Sequence, residues 1–186
     1  MPSTALLWRR LDQPGHDAAR LVEGPGGAVI EGSAVFDESR RPCRLDYRVV
    51  CDDHWRTRSA RVVGWVGVEN VHLEIAVDAS ARWTVNGIPS PGVHGCVDVD
   101  LSFTPATNLL AIRRTRLAIG ARADVRAAWL RFPELALEPL YQRYERLAET
   151  QYRYECWGGA FTAVLETNSV GAVTQYPGLW QLESAS

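Results

Sequence analysis

The amino-acid sequence predicts a mainly β protein with little helix, built on one curled antiparallel sheet, and three features carry that expectation. Apolar and polar residues alternate with a period of two along most of the chain. Glycine, proline and asparagine interrupt the alternation at short intervals, and only two stretches also admit a helical period. A length of 186 residues suits one core, so a single domain over residues 1–186 is expected.

The strands follow in order. Ala18–Val22 and Ala28–Phe36 flank Glu23-Gly-Pro-Gly-Gly27, whose glycines and proline suit a tight reversal, and together they predict a hairpin. Arg44–Cys51 places Leu45, Tyr47, Val49 and Cys51 on one strand face, opposite Asp46 and Arg48. Thr57–Gly67 and Val71–Val77 come next, the second with Val71, Leu73, Ile75 and Val77 against His72, Glu74 and Ala76. Arg82–Val85 is a short strand that ends in the turn pair Asn86-Gly87, and the following Ile-Pro-Ser-Pro predicts a longer loop rather than a two-residue hairpin. Cys96–Phe103 alternates most strongly, with Val97, Val99, Leu101 and Phe103 facing one way and Cys96, Asp98, Asp100 and Ser102 the other. After the turn Thr104–Asn108, the stretch Leu109–Arg116 suits strand or helix equally. Val125–Phe132 and Leu135–Leu147 are expected as strands, although Leu140, Tyr144, Leu147 and Ala148 also fit a helical stripe. Gln151–Cys156, Phe161–Glu166 and Gly171–Tyr176 complete the series. So many strands exceed what a flat open sheet tolerates, and the sheet must curl, close or fold into two layers. A curled sheet has a concave face, where apolar ligands commonly bind.

Composition narrows the chemistry. Hydrophobic residues at 46% and charged residues at 23% mark a folded globular chain. A net charge of -2, with both signs spread along the length, gives no reason to expect nucleic acid as a partner. All 20 basic residues are arginine. A Walker-type phosphate loop and Schiff-base catalysis both require lysine, so neither is available. Cys43, Cys51, Cys96 and Cys156 lie far apart without metal-ligand spacing and are expected as buried free thiols. No cofactor is called for. The first residues lack a basic segment followed by an apolar run, so no secretory signal is visible and a cytoplasmic location is expected. The longest near-apolar run, Val62–Val68, is far below the ~20 residues of a membrane-crossing helix.

Candidate functional residues divide by chemistry. Seven tryptophans offer large apolar area with one N–H each, suited to a core or to a groove that meets sugar rings, and Trp65 and Trp83 lie mid-strand where a pocket wall is expected. Arg113, Arg114 and Arg116 follow the Thr-Pro-Ala-Thr-Asn turn, and a guanidinium at a pocket mouth could clamp a phosphate, sulfate or carboxylate on a lipid headgroup, with surface salt bridges as the plainer use. Asp98 and Asp100 share a strand face at about 6.6 Å, near glycosidase spacing, but stand side by side rather than across a scissile bond. They are better explained as a solvated face or as arginine partners. His54 follows Asp52 and Asp53 with no nucleophile placed beside it, and His16, His72 and His94 form no metal-spaced group.

A resemblance adds to these expectations. Trp83-Thr-Val-Asn-Gly87, the run Gly95-Cys-Val-Asp-Val-Asp-Leu-Ser-Phe-Thr-Pro-Ala-Thr-Asn-Leu-Leu110 with Ile112-Arg-Arg114, and Tyr176-Pro-Gly-Leu-Trp180 together resemble the bacterial putative glycolipid-binding family. The likeness runs from about Leu45 to Trp180. It implies a spiral β-roll, an incompletely closed antiparallel barrel similar to the periplasmic lipoprotein carriers, with a concave cavity for acyl chains. It carries over no catalytic residue.

The expected function is therefore non-catalytic binding of an apolar small molecule, a glycolipid among the candidates, and no catalytic residue is assigned. The expected ligand-contacting residues are Tyr47, Trp65, Trp83, Val97, Val99, Leu101, Phe103, Arg113, Arg114 and Tyr154. A small lysine-independent hydrolase acting in the same cavity is the alternative.

Overall fold

The computed structural model describes residues 2–186. Fifteen strands form one sheet: β1 (Ser3–Arg10), β2 (Gly15–Gly24), β3 (Gly27–Glu38), β4 (Arg41–Cys51), β5 (Thr57–Val66), β6 (Glu69–Val77), β7 (Trp83–Val85), β8 (Ile88–Pro89), β9 (Asp98–Leu101), β10 (Arg122–Arg131), β11 (Ala136–Ala148), β12 (Gln151–Cys156), β13 (Phe161–Thr167), β14 (Val173–Tyr176) and β15 (Trp180–Ala185). One helix, α1 (Asn108–Thr115), separates β9 from β10.

Across the sheet the order is β8-β7-β6-β5-β4-β3-β2-β1-β15-β14-β13-β12-β11-β10-β9. The first and last strands of the chain thus pair in the middle, and each half is a meander of hairpins running outward. Only β9 breaks the rule. It lies at the far edge, parallel to β10, with α1 as the crossover that a parallel pair requires. The sheet curls until its β9 edge approaches β5, three strands in from the other edge, without closing. Val99 N–H donates to Thr57 Oγ1 at 3.0 Å, and Thr57 N–H donates to the Val97 carbonyl at 3.2 Å, so contact between β5 and the β9 edge replaces a ladder. This is the open β-roll that the resemblance implied.

Alternation decides which face turns inward. Leu45, Tyr47, Val49 and Cys51 of β4 are buried, as are Ala60, Val62 and Val66 of β5. They join Leu109, Leu110, Ala111 and Ile112 of α1 in one core. The concave face is therefore filled over much of its length by α1 and by side chains. Gly171, at φ +88°, lets the β13–β14 turn reach α1, since a Cβ there would meet Ile112 Cγ2 at 3.2 Å. Gly32 allows a second close approach: its Cβ would stand 2.6 Å from the Tyr47 hydroxyl oxygen. Gly32→Ala is expected to cost about 1–3 kcal/mol through the displaced tyrosine, read as a lower urea midpoint.

Several expectations are adjusted. β1 and β15 were not foreseen, Asn86-Gly87 closes a two-residue hairpin between β7 and β8 where a longer loop was expected, and the strand expected over Cys96–Phe103 is confined to Asp98–Leu101. Both Asp98 and Val99 are buried, because α1 covers one side of this edge and the core the other, so no solvated aspartate face exists at Asp98. The ambiguous Leu109–Arg116 is helix, and the ambiguous Leu135–Leu147 is strand. All four cysteines are free and buried. Among the described residues no helix is long and apolar enough to cross a membrane.

Candidate functional site

Between the N-terminal end of α1 and strands β10–β15 an aromatic cleft of about 280 Å³ stays open. Trp129 of β10, Trp157 after β12, Phe161 of β13, Tyr176 of β14 and Trp180 of β15 line it, with Leu140, Tyr154 and Leu179. From Trp129 to Tyr176 the rings meet edge-on or tilted, Trp129 and Trp157 at 6.1 Å between centroids, Trp157 and Phe161 at 6.1 Å, Tyr154 and Tyr176 at 6.0 Å, while Arg10 lies 5.2 Å from the Trp180 ring. Edge-to-face contacts of this kind hold rings rigidly and leave faces free for a ligand. Trp157 is 55% exposed at the rim, on a backbone of positive φ continued by Gly158 and Gly159.

The polar groups converge at one place. Asp100 of β9, Ser102, Thr104 and Asn108 line the same cleft. Gln142 Nε2 donates to Asp100 Oδ2 at 2.7 Å and to the Tyr154 hydroxyl at 3.0 Å, while no described residue donates to Asp100 Oδ1. Burial pushes the Asp100 carboxyl from its ordinary 3.8 up to about 6; the Gln142 bond opposes this and the neighbouring Asp98 adds to it. Asn108 Nδ2 donates to the Tyr144 hydroxyl at 2.9 Å, which fixes an amide whose Oδ1 has no partner among the described residues. Tyr144 and Tyr154 are held neutral by burial.

Indole hydrogen bonding marks two tryptophans as structural. Trp8 donates to the Val173 carbonyl at 2.6 Å and Trp83 to the Cys96 carbonyl at 3.1 Å, as buried structural rings do. The other five, Trp55, Trp65, Trp129, Trp157 and Trp180, have no such acceptor among the described residues, and of these Trp129, Trp157 and Trp180 line the cleft.

The residues singled out from the sequence do not gather in one place. Tyr154 lines the cleft. Val97 and Arg114 line a second hollow on the far side of α1. Tyr47, Trp83, Val99, Leu101 and Phe103 lie in the core, with Tyr47 bonded to Asp17 and Thr104. Trp65 is half-buried on the outer face of β5, opposite in parity to Val62 and Val66. Arg113 pairs with Glu23 and stacks 4.6 Å over the Trp55 ring. Trp129, Trp157, Phe161, Tyr176 and Trp180 were missed as a group, for they come from five elements that only the sheet order brings together.

The two aspartates take separate tasks. Asp98 turns to Arg114, which grips it at 2.9 and 2.6 Å, and is absent from the cleft wall. A single carboxylate therefore faces the cleft, and the pair that glycoside hydrolysis uses does not form there. Among the described residues no group of three or more His, Cys, Asp or Glu side chains could hold a metal ion. A larger depression of about 640 Å³ lies on the outer face of β1–β4, but it is open and bordered by Arg20, Glu31, Asp46 and Arg48 that largely pair with one another.

A family model described as Putative glycolipid-binding matches residues 5–182. The crystal structure of a DUF1089 family protein from Pseudomonas aeruginosa is similar at 32% identity and a TM-score of 0.79, over 89% of this chain and 91% of that one. No curated protein matches.

Proposed function

The chain belongs to the Putative glycolipid-binding family, and from that premise we propose that it binds, without turnover, an amphipathic molecule whose hydroxylated ring enters the aromatic cleft. The observation that carries this is the pairing of rigid aromatic walls with one oriented carboxylate and one amide. Sugar rings present apolar C–H faces and a rim of hydroxyls. Aromatic faces cover the first, and Asp100 Oδ1 with the Asn108 carbonyl accepts from the second. At about 280 Å³ the cleft is at the lower end of ligand pockets, which run to about 300–1,000 Å³. It suits a headgroup with the start of a chain, the remaining chain lying outward along Trp157.

The test is titration with n-octyl β-glucoside below its micelle concentration, followed by tryptophan fluorescence and calorimetry, with octanol as the apolar control. Saturable binding of the glucoside is expected. Trp157→Ala should weaken it about tenfold, a loss of stacking and burial worth about 1–2 kcal/mol. Affinity should also fall as pH drops through about 6, where Asp100 takes a proton and gives up an acceptor. Equal, unsaturable responses to glucoside and octanol would overturn the proposal.

A further inference from the structure

We propose that the hollow beyond the C-terminal end of α1 is a second site, specific for an oxyanion such as a phosphate or sulfate ester. It encloses about 410 Å³ and is lined by His54, Arg56, Val97, Arg114 and Arg116. Among the described residues no carboxylate lines it. The acids nearby are already occupied: Asp52 accepts from the backbone N–H groups of His54 and Arg56 and pairs with Arg58 at 2.8 Å, and Asp98 is held by Arg114. Asp53, exposed and without an arginine partner among the described residues, stands 3.9 Å from the His54 ring. Arg56 and Arg116 have no ion-pair partner and no side-chain hydrogen bond among the described residues, and both line the same hollow.

Like charges in one water-filled hollow repel weakly, and a bound oxyanion would replace that repulsion by attraction. The backbone adds an independent sign. Arg116 occupies the left-handed position that closes α1, at φ +46° and ψ +44°, where glycine is the usual residue. Trp55, between His54 and Arg56, is also left-handed at φ +62°. Arg116 is not needed to neutralise the helix end, because Arg113 and Arg114 already occupy the last turn. A left-handed backbone at a bulky charged residue carries a cost, and holding its side chain at the hollow offsets it. Planar guanidinium groups match tetrahedral oxyanions with paired N–H donors, and Arg114, oriented by Asp98, supplies a third, pre-positioned edge.

The free anion and a lipid headgroup share this chemistry, so the experiment has two arms. Wild-type protein and Arg56→Gln/Arg116→Gln are titrated with inorganic phosphate, with sodium chloride at matched ionic strength as control. Both proteins are then floated with phosphatidylcholine vesicles with and without phosphatidylglycerol. Saturable phosphate binding, or flotation with the anionic vesicles alone, is expected for the wild type, and about a tenfold loss in the variant. Phosphate alone assigns a soluble anion; vesicles alone assign a headgroup. The two positions are exposed, so the variant should keep its melting temperature, and octyl glucoside binding in the aromatic cleft should not change. Failure of the cleft proposal therefore leaves this one standing. Phosphate and chloride responses that coincide, with no flotation, or a variant that binds as the wild type does, would overturn it.

Discussion

Replacing Arg114 by methionine is expected to lower the free energy of unfolding by about 3–5 kcal/mol, because it strands the Asp98 carboxylate in the interior. The side chain of Asp98 is 4% exposed, and both of its oxygens are bonded by one guanidinium at 2.9 and 2.6 Å. Burial pushes this carboxyl upward, Arg114 pulls it back, and the net direction is already up. Without Arg114 the group must either stay charged and unpaired or take a proton at neutral pH, and both cost stability. The pair also ties the end of α1 to the edge strand β9, so its loss should loosen the crossover that carries Asp100 and Asn108 into the cleft. Urea unfolding at pH 7 measures the effect. Asp98→Asn/Arg114→Met should recover most of the loss, because it removes the buried charge together with its partner, and it keeps the comparison possible if the single variant does not fold. A single variant with the wild-type midpoint would sink the account.

What could be foreseen depended on whether a residue's role is local. Strands β2 to β6 lie with one face in the core and one in water, so alternation of period two prints directly on the sequence. In β1, Ala5, Leu6, Leu7 and Trp8 are apolar on both faces, and in β15 only Trp180 is buried, so neither carries that print. The helix was ambiguous for a related reason. Leu109, Leu110, Ala111 and Ile112 are consecutive and all buried, since the first turn of α1 is enclosed by the roll and has no polar side to reveal its period. The cleft was the least legible feature. Asp100 and Trp180 meet only because β9 crosses to the far edge and β15 returns to the centre of the sheet. Nor does a tryptophan's sequence context say whether its N–H will find a carbonyl, which distinguishes Trp83 from Trp129.

Asp17 should make the protein less stable as pH rises from about 4 to about 6, the reverse of an ion-paired aspartate. It is fully buried on β2 with no cation near it, accepting hydrogen bonds only from the Tyr47 and Thr104 hydroxyls. Burial therefore dominates, and its carboxyl is raised from 3.8 to about 6 while the two hydroxyls pull the other way. A raised carboxyl binds its proton more tightly folded than unfolded. Between the two values the native state holds the proton that the unfolded chain has released, so stability falls with rising pH across that window and is level beyond it. The gap corresponds to about 3 kcal/mol, an order-of-magnitude figure. Asp17→Asn removes the charge and keeps the shape. Its carbonyl can still accept from Tyr47, and its amide can donate to Thr104, whose hydroxyl also accepts from the Ala106 N–H at 3.0 Å. The variant should match the wild type near pH 4 and exceed it by about 3 kcal/mol at pH 7. Asp100, also raised to about 6, titrates equally in both proteins and cancels from the difference. Urea unfolding of both proteins at half-unit pH steps gives the curve, and a difference that does not change between pH 4 and 7 would show that Asp17 is not a buried charge at neutral pH.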